Sequence, residues 1–488
     1  MRHSLFFNLS NFPLSQRPLG AYRIAHWLRE HDWDVEVVEY ALFWGQEELK
    51  EMVRSRVTKD TVFFGLSHLF YAWSEEFDSF LNWVKIEYPR IKIISGSAAN
   101  PGFNSNNIDY YIRGYGEYAL LELLKYIDGN GSCPIFNFKF ISNKKVIDAI
   151  HSYPSYPMDS LMVIYEDRDY IQPTEWLGIE FSRGCKFQCA FCNYPILGVK
   201  GDYSRNAEDA RIQLQDAYDR FGVTNYVVAD DTFNDRIEKI TKFANSVELL
   251  NFNPYFTGFI RADLLATDPN QKIELARMKF NGHYYGIESF NQASAKSIGK
   301  GMSPDKIKKS IIDVRNYIGE QYRATIGLIV GLPEETEETI EQTKQWLIAN
   351  WQGQNFISWG LEIYNPNGVE NLSKISLNYA DYGYTYISDS SDKQDIVSDK
   401  YDPLGKRFIW KNKYMDFYKA NSIANQLNNL HTEYDFRATP FDLHTLQLAN
   451  PNLKLTDILN KKSIELLDHN SIDKQSFVRN YINKKLSR

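Results

Sequence analysis

Apolar runs too short to be helices, bounded by turn residues, recur along the first 365 residues with helical stretches between them. Runs at residues 5–9, 35–40, 62–67, 91–95 and 108–113 alternate with helical patterns such as 19–30 and 75–87. That alternation predicts a doubly wound, Rossmann-like parallel sheet with helices on both faces. From Trp176 the pattern resumes at 176–182, 224–229, 255–260, 282–288, 323–331 and 355–363. Six strand–helix units of this kind predict a partial (β/α)6 barrel, whose functional loops follow the carboxyl ends of its strands. The expected organisation is an α/β domain over 1–150, a Tyr-, Pro- and Asp-rich linker over 151–175, the barrel over 176–365, and a mainly helical extension over 366–488. Within the extension, 380–400 reads as a polar surface loop and 409–430 as a helix with aromatic anchors.

The first barrel strand runs into Phe-Ser-Arg-Gly-Cys-Lys-Phe-Gln-Cys-Ala-Phe-Cys, which places Cys185, Cys189 and Cys192 on one loop. Cysteine thiolates hold iron–sulfur clusters, and three of them on a four-iron cubane leave one iron open to another ligand. Structural zinc takes four ligands, usually as two pairs, and the nearest histidine after Cys192 is His283. A disulfide is equally ill suited, because no leading apolar signal segment is evident and close thiols in a large chain read as metal-binding or catalytic. Cys133, beside Pro134, is not spaced as a fourth ligand and reads as an ordinary thiol.

Composition narrows the function. The chain of 488 residues is 43% hydrophobic and 15% aromatic, enough for two or three real cores. Against 55 basic residues stand 62 acidic ones, and the net charge of -7 argues against a general grip on nucleic acid. No apolar run approaches membrane-spanning length. The expected setting is the cytoplasm, where thiols stay reduced.

The spacing C-x3-C-x2-C, with Ser182-Arg183-Gly184 before it and Phe191 just before the last cysteine, resembles the signature of the radical S-adenosylmethionine (SAM) superfamily. The resemblance implies a 4Fe-4S cluster on Cys185, Cys189 and Cys192, and a SAM site built at successive strand ends. It places Asp230 and Asp231 at the methionine end, Arg261 as a carboxylate clamp, and Glu288 with Ser289 as polar contacts to methionine or ribose. Gly327-Leu-Ile329-Val-Gly331-Leu-Pro-Glu334 matches the family's G-x-I-x-G-x-x-E strand, so that Gly327, Ile329 and Gly331 pack against adenine, with Phe191 supporting it.

The loops that end the amino-terminal strands carry small residues at each corner: Gly20, Ser67, Gly96 with Ser97, and the turn Arg113-Gly114-Tyr-Gly116-Glu117 that opens a helix. Taken singly these are turn residues. Their succession over residues 1 to about 130 is similar to the cobalamin-binding domain at the amino end of many radical SAM enzymes. The resemblance implies that Gly20, Ser67, Gly96, Ser97, Gly114, Gly116 and Glu117 line a corrin site. The Asp-x-His-x-x-Gly motif that ligates cobalt in other cobalamin proteins is missing there; Asp442-Leu-His444-Thr-Leu-Gln447 lacks the glycine and falls elsewhere in the chain. A protein histidine is therefore not expected on the lower face of the cobalt.

The implied activity is reductive cleavage of SAM to a 5'-deoxyadenosyl radical and cobalamin-dependent methylation of an unactivated carbon in a small-molecule or peptide substrate. An external donor such as flavodoxin or ferredoxin would supply the electron. Three alternatives stay open: a radical cyclisation, rearrangement or oxidation without methyl transfer; a cobalamin-type domain that no longer binds cobalamin; and a non-catalytic iron–sulfur protein. The sequence leaves the role of 366–488 unassigned.

Overall fold

A computed structural model describes residues 2–10, 17–68, 74–97, 105–131, 138–141, 144–149, 162–192, 203–364, 373–389, 408–437 and 473–488. Cys133 and the segment Asp442 to Gln447 lie outside them.

The amino-terminal sheet is built from β1 (Arg2–Leu9), β2 (Trp33–Val38), β3 (Thr61–His68), β4 (Lys92–Ser97), β5 (Tyr110–Arg113), β6 (Phe138–Ile141) and β7 (Lys144–Asp148), in the order β2-β1-β3-β4-β5-β7-β6. All neighbours are parallel except the β6/β7 hairpin. Helices α1 (Leu19–Arg29), α2 (Gln46–Arg56), α3 (Glu75–Glu87) and α4 (Glu117–Ile127) cover it. β1 shows why its centre, Leu5-Phe6-Phe7, is apolar without alternation: Phe6 meets Phe63 on one face, while Phe7 meets Phe64 and Phe80 on the other.

The second sheet contains β8 (Trp176–Ile179), then β11 (Asn225–Val228), β12 (Tyr255–Ile260), β13 (Phe280–Glu288), β14 (Arg323–Val330) and β15 (Asn355–Gly360), all parallel and in sequential order. The intervening β9 (Ser182–Arg183) and β10 (Tyr203–Ser204) form a separate antiparallel pair. On the helix-covered face of this open barrel Phe256, Tyr285, Ile326 and Phe356 are buried. Phe259 and Trp359, in register with the opposite face, remain 47% exposed. Among the described residues no helix is long and apolar enough to cross a membrane.

The domains are tied together at several points. Arg17, fully buried, makes a two-point pair with Glu175 (2.5 and 2.9 Å) and also donates to Tyr22 Oη and the Asp169 carbonyl. The carboxyl-terminal helix Asp473–Leu486 returns to the first domain, where Lys485 Nζ bonds Glu36 and the Val37 carbonyl, and Tyr481 packs on Tyr40.

The extension departs from expectation in one stretch. Residues 385–389 and 408–411 are the antiparallel strands β16 (Thr385–Asp389) and β17 (Phe408–Lys411), not loop and helix. Phe-Ile-Trp suits a pleated strand, and burial of Trp410 against the barrel decides between the two periods. The helix starts only at Phe417, where Asp416 caps it by accepting from the Lys419 amide (2.9 Å), and it runs to Asn428 against β15.

Candidate functional site

β8 feeds the cysteine loop at the carboxyl edge of the barrel. The base of this loop is held by Asp230, which follows β11 and accepts from the Phe181 amide (2.8 Å) and the Ser182 hydroxyl (2.5 Å). Burial lifts this carboxyl to about 6, against the opposing pull of Lys239. Lys239 donates in turn to Ser182 Oγ and the Thr232 carbonyl. Both Asp230 oxygens are thus committed to the protein frame, so Asp230 builds the loop and does not project into the cleft.

Of the thiols, Cys189 is buried and Cys185 and Cys192 are half-buried. The Cys185 sulfur lies 3.2 Å from Thr232 Oγ1, and Arg261 Nη1 donates to the Cys189 sulfur at 3.4 Å. Arg261 is fixed by a bidentate pair with Asp263 (3.0 and 2.6 Å) and lies 3.7 Å over the Phe187 ring. Its guanidinium therefore stands at the cluster loop with one edge already occupied. Backbone bonds from Ala190 to the Ile298 carbonyl and from Ile375 to the Ala190 carbonyl pin the loop on both sides. Among the described residues no three His, Cys, Asp or Glu side chains converge on a single-ion site. A cubane takes one thiolate per iron, so its ligands need not converge.

The other strand-end residues divide into two groups. Glu288 sits in the left-handed region at φ 66°, a strained position for a non-glycine residue, and is held by Lys300 Nζ at 2.9 Å. Lys300 also lies over the Phe191 ring, so Glu288, Lys300 and Phe191 form one cluster beside the cysteines. Ile329 is half-buried, and Asp231 follows β11 at intermediate burial. Ser289 faces away, donating to Glu335 (2.9 Å), whose other oxygen accepts from the Gly331 amide (2.8 Å). Burial raises Glu335 to about 7. Both motif glycines admit protein: a Cβ at Gly331, where φ is 98°, would fall 2.5 Å from Trp410, and one at Gly327 would fall 2.8 Å from Tyr284 Oη.

At the carboxyl ends of β1, β3, β4 and β5 lies a cavity of about 300 Å³, and Gly20, Ser67, Gly96, Gly114, Gly116 and Glu117 all line it. Ser97 ends β4 beside it in sequence. Four residues on its wall were not expected there: Arg23, His68 and Glu180, which belong to no motif, and Arg183, which was read only as part of the cysteine-loop signature. His68 reaches the wall with Nε2 2.9 Å from Ser95 Oγ. Arg183 donates to Glu117 (2.5 Å) and Glu180 (2.5 and 3.1 Å), and its guanidinium lies 4.1 Å over Tyr115. Burial pushes Glu180 up, but Arg183 and Arg23 outweigh it and hold the carboxyl below its ordinary value. The spacing Glu180-x-x-Arg183 around the start of the cysteine loop was the available signal.

Residues 179–347 match the Radical SAM superfamily. An uncharacterized methyltransferase of Pyrococcus horikoshii is 25% identical over 244 residues, 48% of this chain and 52% of the relative, so the chain spans about half the length of that curated protein. Two solved structures share the fold across nearly the whole chain. The cobalamin-dependent SAM radical enzyme OxsB, with aqua-cobalamin and SAM bound, gives a TM-score of 0.64 at 14% identity over 99% of this chain and 79% of its own. The radical SAM methyltransferase TsrM from Kitasatospora setae, with cobalamin and a [4Fe-4S] cluster bound, gives 0.66 at 10% identity over 96% and 99%. Residues 179–347 thus match the radical SAM superfamily, and the chain as a whole shares its fold with these two solved proteins.

Proposed function

We propose that this protein is a radical SAM enzyme that cleaves SAM with a 4Fe-4S cluster and, with cobalamin, methylates an unactivated carbon of a small-molecule or peptide substrate. One observation carries the reading. The glycine-lined cavity reaches Arg183, two residues ahead of Cys185, so a cavity with bare backbone on its wall and a three-thiol loop meet at one place.

The residues present fit these groups. Beside the thiols, Arg261 Nη1 presents an N–H donor to the Cys189 sulfur, the kind of contact a cluster-ligating sulfur accepts. In the cavity the backbone is bare: a Cβ at Gly96 would meet only the Leu66 carbonyl, at 3.8 Å. Beside it Arg23 and Glu117 keep buried polar atoms without hydrogen-bond partners. At the barrel mouth, Glu288 and Lys300 offer one acidic and one basic group for the two charged ends of an amino acid.

When bound, the cluster supplies the electron that splits the sulfonium and cobalamin carries the methyl group. The chain's own tasks are to hold, orient and keep dry. Cys185, Cys189 and Cys192 would hold the cluster. Arg183, through Glu117, fixes the loop against the cavity, and the hairpin bearing Trp410 covers Gly331 at the end of β14. Asp231, Arg261, Glu288, Ile329 and Phe191 would contact SAM. An external flavodoxin or ferredoxin as electron donor and a cytoplasmic setting, where thiols stay reduced, belong to the same reading.

The test is reduction of anaerobically reconstituted protein with hydroxocobalamin and SAM bearing a trideuterated methyl group. The expected products are 5'-deoxyadenosine and S-adenosylhomocysteine together. 5'-Deoxyadenosine alone would leave SAM cleavage standing and replace methyl transfer by a radical cyclisation, rearrangement or oxidation.

A further inference from the structure

Arg23, on α1, is 3% exposed and lines the cavity, yet Nε, Nη1 and Nη2 all lack hydrogen-bond partners. Glu180 at 3.3 Å and Glu117 at 3.7 Å supply opposite charge without hydrogen-bond geometry. Burial brings this guanidinium down to about 9, and Arg183 and Arg205 add to the effect against the pull of Glu180 and Glu117. Glu117 is in the complementary state: Oε1 accepts from Arg183, while Oε2 is buried without a partner. A buried guanidinium normally has its N–H groups filled, and one left empty costs folding free energy. An orphan donor and an orphan acceptor, side by side on one cavity wall, define what would satisfy both.

That complement is a neutral primary carboxamide, whose carbonyl accepts and whose NH2 donates. An added anion fits less well, because it would be pressed against Glu117 and Glu180, whose charges Arg23 and Arg183 already balance. The rim of a corrin ring carries carboxamide arms. We propose that Arg23 and Glu117 form a carboxamide-binding pair for a corrin seated against Gly20, Gly96 and Gly116. Arg23 donates to the amide carbonyl, and Glu117 Oε2 accepts from the amide nitrogen. The inference rests on the cobalamin reading of this cavity.

The test is equilibrium binding of hydroxocobalamin and of dicyanocobinamide, which keeps the rim amides and lacks the nucleotide tail. Full-length wild type, R23M and R23K are compared by the visible absorbance of the bound corrin. R23M weakens both ligands by the same factor, about ten- to a hundred-fold. Loss for cobalamin with cobinamide unchanged assigns Arg23 to the tail phosphate and overturns the amide assignment. A wild type that retains neither ligand overturns the cobalamin reading itself; a wild type that binds while R23M matches it overturns this inference alone. Iron loading on the three cysteines reports whether R23M has folded. R23K, which keeps the charge and loses the guanidinium fork, carries the test in either case: its affinity falls for both ligands, and unchanged affinity overturns the proposal.

Discussion

Leu19, the first residue of α1, occupies the space that a side chain at Gly178 would need: a Cβ at 178 would lie 2.9 Å from Leu19 Cβ. The first domain thus docks on β8 through the absence of a side chain, close to the strand end that becomes the cysteine loop. Gly178→Val forces the two apart and lowers the unfolding free energy by roughly 1 to 3 kcal/mol, measured by urea denaturation. Leu19→Gly in the same chain, which removes the Cβ that the new side chain meets, restores part of the loss. A Gly178→Val protein as stable as wild type would mean that the domains do not meet here.

Gly96→Trp fills the cavity. A Cβ at this position has open space around it, so the indole projects toward the corrin site and folding is spared. Retention of hydroxocobalamin after desalting should be lost, while iron and sulfide content stays at the wild-type level. Full retention in the variant would move the corrin elsewhere.

Arg261→Met removes the cation 3.4 Å from the Cys189 sulfur. A nearby positive charge favours the more negative, reduced cluster, so its loss lowers the midpoint potential, by on the order of tens of millivolts. An EPR-monitored redox titration reads the shift directly. An unchanged potential would show that Arg261 does not act on the cluster and a raised one that the electrostatic argument has the wrong sign; a companion SAM titration measures its role as a carboxylate clamp separately.

Glu335, raised to about 7 by burial, binds a proton in the folded state over a range where the unfolded chain, near 4.5, has released it. Its contribution to stability is therefore greatest below about 4.5 and is lost as pH rises through 7. Glu335→Gln removes that dependence. Relative to wild type, the variant gains stability between pH 5 and 8, by roughly 1 to 3 kcal/mol. Thermal melts of both proteins across this range check the sign; a difference that does not change with pH would place the carboxyl in an ordinary titration range.

The barrel was legible because its strands are apolar and regularly spaced, and the cysteine loop because its ligands lie within one short stretch. The cavity glycines were legible by order, since each falls at the end of a successive strand. Arg23 and Glu180 were not, nor was the place of Arg183 on the cavity wall, because an ion-pair network assembled from separate elements leaves no periodic trace. Periodicity also cannot choose between adjacent acids: Asp230 turns inward to the frame, and at the end of β14 it is Glu335 that is buried, while the motif's Glu334 accepts from Tyr414 at the surface. Phe408 to Lys411 is too short a run for its period to separate strand from helix.

The helix Asp473–Leu486 has a consequence for the order in which the molecule can be made. Val478, Tyr481 and Ile482 complete the apolar cluster that also contains Tyr40, Trp44 and Met52. During synthesis the first domain emerges with that cluster open, and it stays open while the whole barrel is being translated. Closure waits for contacts more than 400 residues apart in sequence, such as Glu39 with Tyr481. A ribosome that stalls before residue 478 therefore releases a first domain with an exposed aromatic face, a ready target for chaperones and proteases.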